Sequence, residues 1–401
     1  MLRSAVQFKP TSREILMRKS ILSLSATAAL AFPAISVAQQ AAPAVPTLDK
    51  VLDASGISVT GYLDTAYQHA NRDIETGFSP RVFDSQNNSF VLHQFGLQVA
   101  KQPKQGIGGL VNITAGKDAQ VIHAFPEATS PGNSLSSTSM FDITQAFAQY
   151  ASGPVTVMAG KFVTLQGSEV IWSPSNNNFS HSILFGAIPF THTGVRVSYA
   201  AADTVTLYGG LNNGWDQLTD ANKGKTVELG ATFTPIKPLS ITVSDYRGQE
   251  PTGGGENGTR NSFNFVASYT VMEPLTLGFE FLKVDQKNAI SVDPAAAGTR
   301  IDAKYTGVAG YVTYMFMPKV RGALRLESFD DKDGFHFGFP ALTTSATKYR
   351  ETTLTLGYLA ADNLEVRGEL RMDRATQPVF TDGANFSKSL TTFAIQALYK
   401  F

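Results

Sequence analysis

The 401-residue sequence predicts an all-β fold, a closed antiparallel transmembrane β-barrel of about 16 strands with short periplasmic turns and long extracellular loops. Three observations lead there. From Gly56 to Phe401, apolar and polar residues alternate over segments of roughly ten residues, the period of a strand with one face in hydrocarbon and the other in water. The connections between segments alternate between long and short, as they do when turns lie on one side of an outer membrane and loops on the other. Aromatic residues recur where alternate segments run into the short turns, which is the pattern of a girdle at one membrane interface.

Composition narrows the alternatives. A chain that is 43% hydrophobic is too apolar to be disordered, and 16% charged residues is well below the roughly 25% of a soluble domain. No apolar run of roughly 18 residues follows the first forty, so a helical membrane protein is excluded. The 33 basic and 33 acidic residues give no net field to draw in nucleic acid. With no Cys there are no disulfides, thiolate metal sites or thiol nucleophiles. His93, His123, His181, His192 and His336 are scattered, with no H-E-x-x-H, so neither a zinc site nor a cofactor is expected.

The amino-terminal segment reads as an export signal. Met17-Arg18-Lys19 is a basic region, residues 21–35 are apolar, and Ser36-Val37-Ala38 places small residues where a signal peptidase cuts. The expected organisation is a signal peptide over 1–38, a periplasmic segment over 39–55 and an outer-membrane barrel over 56–401, with Met1 and Met17 both open as the start. Removing 1–38 leaves 28 basic and 32 acidic residues, net −4.

In chain order the expected strands are 57–69, 89–101, 106–117, 141–151, 154–162, 190–201, 204–213, 225–234, 239–246, 261–271, 274–284, 304–316, 320–328, 350–360, 363–374 and 389–401. The fifteenth shows the logic most clearly. In Leu364-Glu365-Val366-Arg367-Gly368-Glu369-Leu370-Arg371-Met372-Asp373 every even position is apolar or Gly and every odd one is charged. Short turns such as Ser152-Gly153, Ala202-Asp203, Met272-Glu273 and Ala361-Asp362 join even to odd segments. The girdle residues are Tyr150, Tyr199, Phe233, Tyr269, Phe316, Tyr358 and Phe401, on seven of the eight segments that run toward those turns.

The chain ends in alternating apolar and aromatic residues, Phe393, Ile395, Tyr399 and Phe401 among them, and this end resembles the terminal strand by which the barrel assembly machinery recognises outer-membrane proteins. The stretches Phe141-Asp142-Ile143-Thr144-Gln145-Ala146, Gly160-Lys161-Phe162, Pro189 to Tyr199 and Gly209 to Asp216 are similar to those of the putative beta-barrel porin-2, OmpL-like, family. The resemblance covers Gly56 to Phe401 and implies a porin in the outer membrane of a Gram-negative bacterium: a water-filled channel for passive diffusion of small polar solutes and ions, not an enzyme. Outer-membrane lipid, lipopolysaccharide and the assembly machinery are its expected partners, with no nucleic acid. A homotrimer, the form of general porins, stays open.

Candidate functional residues follow from strand parity. About 16 strands enclose an aqueous lumen, and inward positions carry Arg196, Glu228, Glu280, Arg321, Arg325, Glu327, Glu365, Arg367, Glu369 and Arg371. Such rows bias ion passage, or else pair across strands and stiffen a hydrated wall. The longest connection, 163–189, sits where general porins fold a loop inward, an inference by resemblance. Glu169 is its one formal charge, and Asn176, Asn177, Asn178 and His181 would line a constriction suited to neutral polar solutes; the alternative is an external rim loop. Two other functions remain: a lipid or peptide hydrolase using His181 beside Ser182, and a plugged barrel with an adhesive or structural role.

Overall fold

The computed structural model describes residues 47–74, 80–127, 138–253, 256–291, 300–337 and 346–401. The signal peptide and residues 39–46 lie outside the described residues. A short helix, α1 (Leu48–Ser55), precedes the sheet.

The strands are β1 (Ser58–Ala70), β2 (Ser89–Lys101), β3 (Gly106–Ala115), β4 (Phe141–Ser152), β5 (Val155–Val163), β6 (Thr191–Ala202), β7 (Val205–Asn212), β8 (Thr226–Ile236), β9 (Leu239–Gly253), β10 (Glu256–Met272), β11 (Leu275–Ser291), β12 (Arg300–Met317), β13 (Val320–Asp331), β14 (Thr347–Ala361) and β15 (Leu364–Ala375). A small hairpin, β16 (Phe380–Asp382) and β17 (Asn385–Ser387), comes before the closing strand β18 (Ser389–Lys400). All strands except that hairpin form one closed antiparallel barrel, in which each pairs with its sequence neighbour and β18 joins β15 to β1. The sixteen-stranded closed barrel is the expected fold.

Hydrocarbon outside and water inside impose the alternation. On β15, Arg367 and Arg371 are 1% and 0% exposed, whereas Leu370 and Met372 keep 39% and 38% on the outer face. The aromatic residues beside the short turns, Tyr150, Tyr199, Phe233, Tyr269, Phe316, Tyr358 and Phe401, are all exposed on that face. Gly153 takes φ +57° in the turn from β4 to β5, a conformation in which a Cβ is strained.

Closure removes the last free edge, which lipid could not hydrogen-bond. β1 and β18 run in register from Tyr62 opposite Lys400 to Ala70 opposite Thr392. Beyond β18, the amide of Phe401 donates to the Gly61 carbonyl at 2.9 Å and the Gly61 amide donates back at 2.8 Å. A Cβ on Gly61 would lie 2.5 Å from the Phe401 ring, so glycine provides the space in which that ring rests.

The wall differs from expectation mainly at the long-loop end. β9 runs on to Gly253, β10 starts at Glu256, β11 reaches Ser291 and β12 starts at Arg300, each several residues past its predicted end. The added residues, such as Gln249-Glu250-Pro251-Thr252, do not alternate. Above the hydrocarbon the outer face meets water and the inner face packs on polar partners, as Glu250 does on Gln217 and Thr226, so strand pairing continues without a demand that side chains alternate in polarity. The connection after β3 contains a single helical turn, α2 (Ala119–Ile122), and the one before β18 contains the β16–β17 hairpin.

The interior is packed on one side. Ile183, Leu184, Phe185 and Phe190 of the connection between β5 and β6 join Phe83, Tyr305, Phe329 and Tyr349 in a buried cluster. An apolar cluster inside a barrel with polar inner walls means that a loop has entered it.

Candidate functional site

The connection from Val163 to Thr191 crosses the barrel interior. Irregular backbone buried this way cannot leave its N–H and C=O groups unpaired, and the inner wall supplies partners at nearly every step. Gln166 donates to the Ser262 carbonyl at 2.9 Å, the Gly167 amide to Asn264 Oδ1 at 3.1 Å and the Ser168 amide to Glu280 Oε2 at 3.0 Å. Those contacts secure one end against β10 and β11.

The middle of the loop is fastened to β13, β14 and β15. Glu327 accepts the amides of Ile183 and Leu184 at 2.8 and 2.6 Å, and Glu369 accepts those of Phe179 and Ser180 at 2.7 and 3.0 Å. A carboxylate facing two successive N–H groups satisfies both. Guanidinium groups take the carbonyls: Arg325 donates to Ser180 O at 2.6 Å, Arg371 to His181 O at 2.7 Å, Arg367 to Asn178 O at 3.3 Å and Arg321 to Asn177 O at 2.8 Å. Arg325 also meets Glu169 of the loop at 2.6 Å and Glu351 of β14 at 3.0 Å. Burial alone would raise the Glu169 carboxyl, but the Arg325 guanidinium, with His181 and the Ser182 amide, holds it below its ordinary value.

Within the loop, Asn176 clips the chain back on itself. Its Oδ1 accepts the Val170 amide at 2.9 Å and its Nδ2 donates to the Val170 carbonyl at 2.7 Å. Asn178 donates to Thr355 Oγ1 at 2.6 Å, whereas the side chain of Asn177 is exposed. At the return to β6, Asp216 Oδ1 accepts the amides of Phe190 and Thr191 at 2.8 and 2.9 Å. Burial pushes the Asp216 carboxyl up to about 7 against the pull of those two amides.

The expected inner-wall charges therefore do face inward, but most lie beneath the loop and are engaged by it. Arg321 is the least covered of the row and also pairs with Glu365 at 2.7 Å. Arg367 bridges to Glu365 at 2.8 Å. Arg196 stands apart, on β6: it pairs with Glu228 and lies 4.3 Å from the centre of the Phe162 ring. A second connection, between β1 and β2, also turns inward. Its Arg81 donates to Asp373 Oδ2, Asp84 Oδ2 and Thr392 Oγ1, each at 2.8 Å. Arg81, Asp84 and Asp216 were not among the expected site residues.

His181 and Ser182 do not meet as a catalytic pair. The His181 Nε2 atom contacts Val170 O at 3.0 Å and Asn176 Nδ2 at 3.1 Å, while Ser182 Oγ accepts the Phe185 amide at 3.0 Å. Among the described residues no group of three His, Asp or Glu side chains could hold a metal.

The loop leaves open space on the side opposite its anchors. A cavity of about 590 Å³ lies between it and the inner faces of β1 to β4, lined by Gln98, Asn112, Thr144, Gln145 and Trp172, with Lys400 at one edge. Trp172 is held edge-on against Tyr62 at 4.5 Å between ring centres, and the Ser173 amide donates to the Tyr62 hydroxyl at 3.4 Å. Sequence reasoning passed over the neutral wall residues because it followed charge; inward parity would have found Gln98, Asn112 and Thr144, but not Gln145, which turns inward beside Thr144 where the ladder shifts register.

A sixteen-stranded barrel whose interior is narrowed by an inward loop after its fifth strand defines the class of outer-membrane porins. The chain belongs to the family described as Putative beta-barrel porin-2, OmpL-like, which matches residues 56–401. Among solved structures it is similar to OprB of Pseudomonas putida, with 14% identity and a TM-score of 0.58 over 88% of this chain and 96% of that one. It is also similar to an anion-selective porin from Comamonas acidovorans and to a trimer form of OmpT, an outer membrane protein of Vibrio cholerae. Each of these has 12% identity and a TM-score of 0.56, over 86% of this chain and 99% of the other. No curated protein sequence matches the chain.

Proposed function

We propose that the protein is a passive channel of the outer membrane for small polar solutes, with a preference for neutral ones. The observation that carries this reading is the contrast across the lumen. The charges on the wall of β13 to β15 are paired with one another or with the loop backbone, and the carboxylate that reaches the cavity beside the loop, Glu169, is paired with Arg325. That cavity, apolar on its loop side at Val170, Ile171 and Phe190, takes its wall-side polar groups from the amides and hydroxyls of Gln98, Asn112, Thr144 and Gln145. Such groups replace hydration for a neutral solute without discriminating strongly by charge.

The same reading takes residues 1–38 as an export signal removed on secretion, the short turns as periplasmic, the exposed aromatic row as an interface girdle, and Phe393, Ile395, Tyr399 and Phe401 as an assembly signal. Association as a homotrimer belongs to it as well, supported by the trimer form of the similar Vibrio cholerae protein. The test is purified, refolded protein in planar bilayers and in liposomes swelling against solutes of one size and different charge. Stepwise current with faster entry of neutral solutes is expected. Absence of current would sink the channel in favour of a plugged barrel.

A further inference from the structure

The outer face of the wall carries a feature that a lumen function does not use. Near the long-loop end of β14 and β15, Arg350 lies directly opposite Arg374, and Lys348 lies two residues from Arg350 on the same outward face. All three are exposed. Like charges directly opposed across a strand pair repel, yet among the described residues neither guanidinium has an ion-pair partner. Asp330 pairs with Lys348 at 3.3 Å. The residues opposite the cluster on neighbouring strands are hydroxyls: Ser328 faces Arg350 and Ser389 faces Arg374.

Further toward the short-turn end, the same strands form a groove of about 540 Å³ in the lipid-facing surface. Its walls are Tyr314, Leu324, Leu354, Leu356, Leu370 and Phe393. Gly368 leaves it open on β15, because a Cβ there would meet nothing within 4 Å. Leu354 is four residues from Arg350, about 14 Å along the strand at about 3.4 Å per residue. Cationic groups above an apolar furrow, at a spacing within the reach of an acyl chain, match an amphiphile with an anionic head.

We propose that this face binds one phosphorylated glycolipid of the outer leaflet, with its phosphate between Arg350 and Arg374 and an acyl chain in the groove beside Gly368. A phosphate is the natural guest because guanidinium groups bind its oxygens bidentately, and the surrounding hydroxyls suit a sugar head. Free phosphate could satisfy the cations but not the groove. The site rests on the outer-membrane placement proposed above, with the long loops outside, but not on conduction.

The experiment uses the refolded full barrel in detergent and measures retention of diphosphorylated lipid A, of the same lipid stripped of phosphate, and of inorganic phosphate. Diphosphorylated lipid A should bind at least tenfold more tightly than the stripped lipid, and inorganic phosphate at equal concentration should not displace it. R350A/R374A should abolish the preference. G368F, placed where the backbone has room, should weaken binding of both lipids while the heat-dependent gel shift of a closed barrel persists. Equal binding of the two lipids, displacement by inorganic phosphate, or no change in either variant would overturn the proposal. So would G368F converting an oligomer to monomer with lipid retention unchanged, which would make the groove a contact between copies of the chain. Both variants point away from the lumen and should conduct normally, so a silent wild-type channel that retained the lipid would fail the porin reading alone.

Discussion

Arg325 and Glu169 meet at 2.6 Å across the barrel interior although 156 positions separate them in sequence. The arginine belongs to the wall and the glutamate to the loop, and both are buried. The pair therefore sets how far the loop stands from the wall, and with it the width left beside β1 to β4.

Breaking that pair from the wall side should release the loop. Arg325→Met leaves Glu169 as a buried carboxylate without its arginine and Glu351 with only Arg371, 3.9 Å away, at a cost of about 3–5 kcal/mol. The barrel, closed by its own ladder, should survive with its heat-dependent gel shift. Single-channel conductance should rise and become noisier; unchanged conductance would show that the loop is held elsewhere. Glu169→Gln is the milder change: it frees part of the Arg325 charge and should move the reversal potential toward anions.

Glu369 and Glu327 each hold two loop amides. Glu369→Gln keeps one acceptor oxygen and turns an NH₂ toward a buried N–H, so one amide loses its partner at a cost of about 1–3 kcal/mol. Hydrogen exchange should rise at Phe179 and Ser180 first, with the strand amides of β15 still protected.

Trp172 forms part of the wall of the open cavity and is braced by Tyr62. Trp172→Ala removes that ring and an edge-to-face contact worth about 0.5–1.5 kcal/mol. Liposome swelling should show a larger gain for bulky neutral solutes than for small ones, and an equal gain for both would argue against a wall role for the ring.

Two groups at the loop ends should make stability depend on pH in opposite senses. Asp216 is pushed up to about 7 by burial, so its contribution is complete below the ordinary carboxylate range and is lost as pH rises through 7. His336, half-buried with its ring 2.9 Å from the Gly186 carbonyl, is pushed down to about 4 by desolvation, so its contribution is present above the ordinary histidine value and is lost as pH falls through 4. Asp216→Asn retains an acceptor for Phe190 and Thr191 but cannot ionise. Its melting temperature relative to wild type should climb between pH 4 and 7.5, and a constant difference would refute the assignment.

The seam should be sensitive to its last residue. Deleting Phe401 removes both hydrogen bonds to Gly61 and uncovers the ring's resting place. The yield of heat-shifting barrel on refolding should fall, while the barrels that do close should conduct as before.

The wall was legible in the sequence because hydrocarbon leaves a strand little choice. Leu370 and Arg371 cannot exchange faces, so parity, strand number and most boundaries follow from local pattern. Above the membrane that constraint lapses, which is why local pattern ends β9 to β12 short of their full length. The interior was legible only by halves. Glu169 and Arg325 stood out separately as charges on an inward loop and an inward face, but nothing local to either shows that they meet. Arg81 and Asp84 lie in an irregular stretch with no period to place them. Asp216 stood within a family-like stretch, Gly209 to Asp216, without a role until Phe190 and Thr191 were seen to donate to it.

Every anchor that the loop uses on β13 to β15 is made long after the loop itself: Thr355 follows Asn178 by 177 positions, and Glu369 follows Phe179 by 190. A wall missing those strands can hold the end of the loop near Gln166 but has nothing to latch its middle against. Bore and closure therefore mature together, and the passage acquires its working width only as the seam between Gly61 and Phe401 becomes able to form. A chain stalled earlier would have neither a sealed rim nor a gauge across its middle, so quality control acting on the exposed edge would also clear barrels whose aperture was never set.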